Sequence, residues 1–243
     1  MYEISIIELK LSSSIELRLF VFSGTLFAYN FVKYNGLFFN FFEGQKLVPK
    51  GIFILSCLSL IISGYLFFFL NLLEESITII ASFLVCLYII PFYHKKYNLR
   101  TIDGLKIHIV ASCWTLITLI LPLINTIDFF SFSTWVLIIQ RYLWIILAIL
   151  PFEIFDSQMD SEELLTIPQF LGVPKTKLLG IFLSLIIVFL SFLGSSNFGF
   201  AYLLMAILYV YFLCSTSIDQ SPYRNLFWVE AIPFLGWLSF YLH

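Results

Sequence analysis

From Leu178 to Gly194 the chain reads LLGIFLSLIIVFLSFLG, an apolar run without a single charge and too long for a strand. Nothing else constrains the fold as strongly, because a helix of about 20 apolar residues is what crosses ~30 Å of hydrocarbon. This run belongs to a segment at 176–194, and comparable segments recur at 15–33, 50–71, 74–92, 105–125, 132–152, 197–215 and 225–241. They are continuous in Leu, Ile and Phe and do not alternate with polar residues, so they read as helices and not as barrel strands. Only 12% of the residues are charged, against about 25% in soluble domains, and the mean hydropathy is +0.98. The expectation is an all-α integral membrane protein, a single domain over residues 1–243 with about 8 transmembrane helices. The head of the chain, MYEISIIELKLSSS, lacks a basic start followed by a small-residue cleavage motif, so a signal peptide is not expected. Cys57, Cys86, Cys113 and Cys214 stand singly in apolar runs and read as small buried hydrophobes.

The loops carry the charge, and their signs alternate. Lys33, Lys46 and Lys50 follow the first segment, Lys95, Lys96, Arg100 and Lys106 the third, Lys175 and Lys177 the fifth, and Arg224 precedes the eighth. The opposite loops hold Glu74 and Glu75, then Asp128, then the uncharged GSSN at 194–197. Since Lys and Arg favour the cytoplasmic side, this bias predicts cytoplasmic basic loops and, with eight crossings, both termini outside.

One stretch on the basic side is different: EIFDSQMDSEELLTIPQFLG, residues 153–172, packs acids densely into an oily chain. Glu153, Asp156 and Asp160 are three and four residues apart, so they share one face if the fifth segment continues as a helix past Pro151. Three carboxylates that close repel one another. They are tolerated if solvated, partly protonated, or holding a divalent cation, and Mg²⁺ is commonly held by one or two carboxylates plus phosphate oxygens. The plainer reading is a solvated acidic loop.

Two further polar features lie within the apolar segments. Arg141 stands twelve residues before Glu153, about 18 Å along a helix at 1.5 Å per residue, which places it near mid-membrane. An unpaired Arg there is costly, so it is expected to face the bundle interior, either paired with Glu230 or lining a substrate cavity. His108, at the start of the fourth segment, reads as a hydrogen-bonded helix residue. The sequence holds no Gly-rich phosphate loop, nucleophile elbow, HExxH or dinucleotide fingerprint, and no nucleic-acid partner is expected.

Glu153, Asp156 and Asp160, then Thr166-Ile167-Pro168, Leu171-Gly172 and Lys175, resemble the second aspartate-rich motif of the UbiA superfamily of intramembrane prenyltransferases. In that family a D-x-x-D-x-x-x-D run is followed by Thr-Leu-Pro, Leu-Gly and a basic residue before the next helix. Here Glu153 stands at the first Asp, and the gap to Thr166 is one residue shorter. The family's first motif, N-D-x-x-D-x-x-x-D, has one counterpart: Asn30 matches, while Phe31, Tyr34 and Phe38 occupy the Asp positions. Tyr97, Arg100 and Lys106 are similar to a basic loop that faces the diphosphate. The motifs follow the first and fifth segments, one earlier than in the nine-helix family.

The resemblance implies a UbiA-like bundle in a bacterial plasma membrane, acting on an isoprenyl diphosphate and a hydrophobic or aromatic acceptor, with Mg²⁺ as cofactor. Asp156 and Asp160 would be catalytic metal ligands and Glu153 a third carboxylate. Asn30, Lys33, Tyr34, Arg100, Lys106 and Arg141 would bind substrate. Two rival readings stay open: a non-catalytic isoprenoid-binding or membrane-complex subunit, supported by the altered first motif, and a small transporter, for which no internal repeat speaks.

Overall fold

The computed structural model describes residues 1–42, 50–90, 99, 102, 104–157, 166–194, 199–217, 220–221 and 223–241. It is 87% helix, and the described residues contain no strand. The helices are α1 (Tyr2–Glu8), α2 (Ile15–Phe42), α3 (Lys50–Phe67), α4 (Leu72–Ile89), α5 (Leu105–Leu123), α6 (Phe132–Asp156), α7 (Ile167–Leu171), α8 (Val173–Gly194), α9 (Gly199–Ser215) and α10 (Glu230–Tyr241). A π-helical stretch, Leu116–Ile120, lies inside α5, and another, Arg224–Val229, leads into α10. Among the described residues, six helices are long and apolar enough to cross a membrane, as an integral membrane protein requires: α2 as far as Tyr34, α3, α4, α5, α6 and α8. Helices also form at the last two expected segments, but their apolar parts, Phe200–Ser215 and Phe227–Ser239, are shorter.

Local chemistry explains the helix ends. Asn71 caps α4 by accepting from the amides of Leu73 and Glu74, each at 3.1 Å, while Glu74 accepts from the Asn71 amide at 3.0 Å. This reciprocal pair satisfies donors that the first turn cannot use internally. The Ser and Thr residues within the spans dispose of their hydroxyls in a common way. Ser23 bonds to the Leu19 carbonyl, Ser56 to Ile52, Thr115 to Ala111 and Ser191 to Val188, which spares these hydroxyls an unpaired donor in an apolar setting. α2 departs from helical geometry at Tyr34 (φ −113°, ψ 16°), where the expected first segment ends, and then resumes to Phe42.

Two hydrophobic cores organise the bundle. One joins α5, α6, α8, α9 and α10 around Trp144, Tyr209 and Leu147. The other joins α2, α3 and α5 around Phe20, Leu66 and Leu121. The short α1 lies between them. Ile4 belongs to the first core, whereas Tyr2 and Ile6 belong to the second. A seven-residue helix is marginal on its own in water, so α1 exists because both cores bury it.

Candidate functional site

α6 runs through Pro151 without breaking and ends at Asp156. Glu153 and Asp156 therefore lie one turn apart on that helix, as the spacing required. Glu153 is 4% exposed and Asp156 half-buried. Across from them, Gly104 in a left-handed turn (φ 66°) starts α5 and sets Lys106 in its first turn. Lys106 Nζ lies 2.9 Å from Glu153 Oε1, an ion pair that ties the start of α5 to the end of α6. Asp160 and Arg100 lie outside the described residues.

The rest of the acidic motif has a structural job. Thr166 donates its amide to Gln169 Oε1 at 2.9 Å, and Pro168 sits early in α7, where its missing N–H costs nothing. Gly172 ends the turn with φ 79°, a conformation that glycine adopts freely. Gln169 Nε2 reaches the Ser157 carbonyl at 3.3 Å. Thr-Ile-Pro and Leu-Gly thus form a capped single turn that carries the chain from the end of α6 into α8.

Near the kink in α2, Asn30 is buried and its Nδ2 has no hydrogen-bond partner. Lys33 Nζ donates to the Tyr29 hydroxyl at 3.1 Å, with the Tyr34 ring centroid 5.9 Å away. Tyr29 in turn donates to Glu230, beside Lys33. Asn225, in the turn before α10, donates to the Pro151 carbonyl at 2.9 Å. Contacts therefore run round this end of the bundle: Phe31 against the cluster of Tyr88 and Ile109, Lys106 to Glu153, Asn225 to Pro151, and Glu230 to Tyr29. His108 shares a 2.6 Å hydrogen bond with the Tyr142 hydroxyl.

Arg141 faces the interior, at 3% exposure, but its partner is not Glu230. Its Nη1 donates to the Met1 carbonyl at 2.9 Å and to Thr118 Oγ1 at 3.4 Å, and Tyr202 is hydrogen-bonded to it as well. The Tyr202 hydroxyl donates to Glu8 Oε2 at 2.5 Å, and the Tyr202 ring stacks on Trp144 at 6.1 Å. Burial pushes the Glu8 carboxyl up from its ordinary value, while Tyr202 and Arg141 draw it partly back. The sequence leaves Arg141 and Glu230 as the two unpaired intramembrane charges, but Glu230 lies in the field of Lys33 and beside Tyr29 of α2. Glu8, Thr118 and Tyr202 escaped notice altogether. The one available sign was the isoleucines of MYEISIIELK, too many for a solvated arm.

The donor chemistry for a divalent cation can be judged from these contacts. Lys106 pairs with one oxygen of Glu153, the expected third carboxylate, and so neutralises part of the charge a cation would meet there. Among the described residues no group of three His, Cys, Asp or Glu side chains is placed to hold a metal. Asp156 with Asp160 would still match the one or two carboxylates that Mg²⁺ takes alongside phosphate oxygens. Comparison with protein-family models, with curated proteins and with solved structures gives no match.

Proposed function

We propose that the chain is a UbiA-like intramembrane prenyltransferase, a bundle of about eight crossings with the acidic stretch at the cytoplasmic face of a bacterial plasma membrane. The observation carrying this reading is the Lys106–Glu153 pair, which joins the first turn of α5 to the acidic end of α6 at one end of an apolar bundle. A lipid diphosphate needs that combination: cations for its head and apolar helices for its tail. In this reading Asp156 and Asp160 hold Mg²⁺, which would neutralise charge on the departing diphosphate. Lys106 and Arg100 donate to the diphosphate oxygens, and Asn30 offers its unpartnered amide. The isoprenyl chain then passes to a hydrophobic or aromatic acceptor.

The test is diphosphate release from geranylgeranyl diphosphate or a shorter donor by the purified protein, with Mg²⁺ and a panel of phenolic acceptors. Release that needs Mg²⁺ and disappears in Asp156→Ala supports transfer. A second reading, a non-catalytic isoprenoid-binding subunit, draws on Lys106 occupying Glu153 and on Phe31 and Tyr34 at the first motif's acidic positions. Binding of the donor without turnover for any acceptor would select it.

A further inference from the structure

The polar cluster around Arg141 lies outside the proposed active site, and its composition is unusual. Its donors come from the bundle: Arg141 on α6, and Tyr202 on α9. Its acceptors come largely from α1: the Glu8 carboxyl and the Met1 carbonyl. Ser5 Oγ adds a 2.7 Å bond to the Thr118 carbonyl, in the π-helical stretch of α5 where the backbone ladder is irregular. The inward side of α1 is otherwise mainly apolar, with Ile4 and Ile6 pressed into the two cores, while Glu3 faces outward and pairs with Arg18 at 3.2 Å. To the bundle, α1 is a short apolar rod bearing a carboxyl group.

The fit of that rod is incomplete. Glu8 Oε1 and Trp144 Nε1 are both buried and both lack a hydrogen-bond partner, although Tyr202 touches each residue. Such orphaned atoms are uncommon in a closed interior. The exit from α1 is strained too, since Lys10 adopts φ 50°, a conformation disfavoured for residues with a Cβ. Were α1 to leave, Arg141 would remain buried without its acceptor. Another acceptor would have to enter with it.

We infer that the seat of α1 is an internal binding site for a single-chain carboxylate amphiphile, a fatty acid in chemical class, and that α1 is its displaceable resident. Arg141 and Tyr202 hold the carboxylate, Trp144 Nε1 supplies a further donor, and the alkyl chain takes the place of Ile4 and Ile6 between the cores. This inference is independent of prenyl transfer.

The test uses the full-length protein in a non-ionic detergent. Ser5, which is fully buried, is changed to Cys in a background where Cys57, Cys86, Cys113 and Cys214 are Ser or Ala, and labelling by a neutral maleimide is timed. Decanoate is expected to accelerate labelling at least tenfold over the same concentration of decanol, which shares the chain but not the charge. Arg141→Gln raises the basal rate and brings the decanoate-to-decanol ratio to one. Tyr202→Phe, which keeps the aromatic packing, lowers that ratio severalfold and serves if the Arg141 variant does not fold. Equal rates with decanoate and decanol in the parent protein overturn the inference. A ratio unchanged in Tyr202→Phe or Arg141→Gln overturns it equally.

Discussion

One helix carries two buried charges, and they are managed differently. Near the end of α6, Glu153 is met by Lys106, a side chain still one-fifth exposed, in a simple ion pair between neighbouring helices. In the middle of the same helix, Arg141 is shut away from water and satisfied mainly by uncharged oxygens that α1 and α5 bring to it. The difference follows from the surroundings. At the helix end two charges can pair while water screens part of the cost. At mid-helix there is no water, so each donor must be given an acceptor by folding another segment inward. The short N-terminal helix is that segment, and it links the two hydrophobic cores as it does so.

The contrast predicts a ranking of mutational effects, read as loss of stability against denaturant or heat in detergent. Arg141→Met should cost most, about 3 kcal/mol, because the Met1 carbonyl, Thr118 and Tyr202 all lose a buried charged donor. Lys106→Met should cost about 2 kcal/mol, less because water reaches its ammonium group; adding Glu153→Gln to it should recover most of the loss. If the two single variants were equal, the distinction between a screened pair and a dry one would fall. Ser5→Ala should cost about 1 kcal/mol, the ordinary worth of a buried hydrogen bond, here to the Thr118 carbonyl.

The smallest effect concerns pH. The seated Glu8 carboxyl is raised above its ordinary 4.5, so its contribution to holding α1 is full below that value and fades as pH rises through the raised one. Met1, Arg141 and Tyr202 share its surroundings, and burial with Arg141 lowers the Met1 amino group to about 5, a penalty relieved as pH rises, opposite in sign to Glu8. Glu8→Gln should remove the falling component while changing stability at pH 4 little. A fall in stability with rising pH that survives in Glu8→Gln would assign the effect elsewhere.

Much of the site and fold was legible because it rests on short-range rules. The run from Leu178 to Gly194 had to be a helix, and Glu153 and Asp156 had to lie a turn apart, since both follow from the 3.6-residue period. The positions of α3, α4, α5, α6 and α8 follow equally from unbroken apolar length. Partners were not legible. Glu230 is the natural mate for Arg141 by sequence, yet Tyr29 of α2 bonds to it and Lys33 lies within its field, while Arg141 turns to α1 and α5. Nor did the opening residues declare themselves, for a seven-residue helix has no period strong enough to read and no stability apart from its neighbours.

By itself, then, the sequence determined an all-helical, membrane-sized architecture and a turn of acids at the end of α6. These are consequences of hydrophobicity and helical spacing, which act over a few residues. Only the tertiary structure decided that Lys106 occupies Glu153 and that α1 turns inward to answer Arg141. A buried charge takes whichever partner the packed helices bring within hydrogen-bonding reach, and that is a property of the whole bundle.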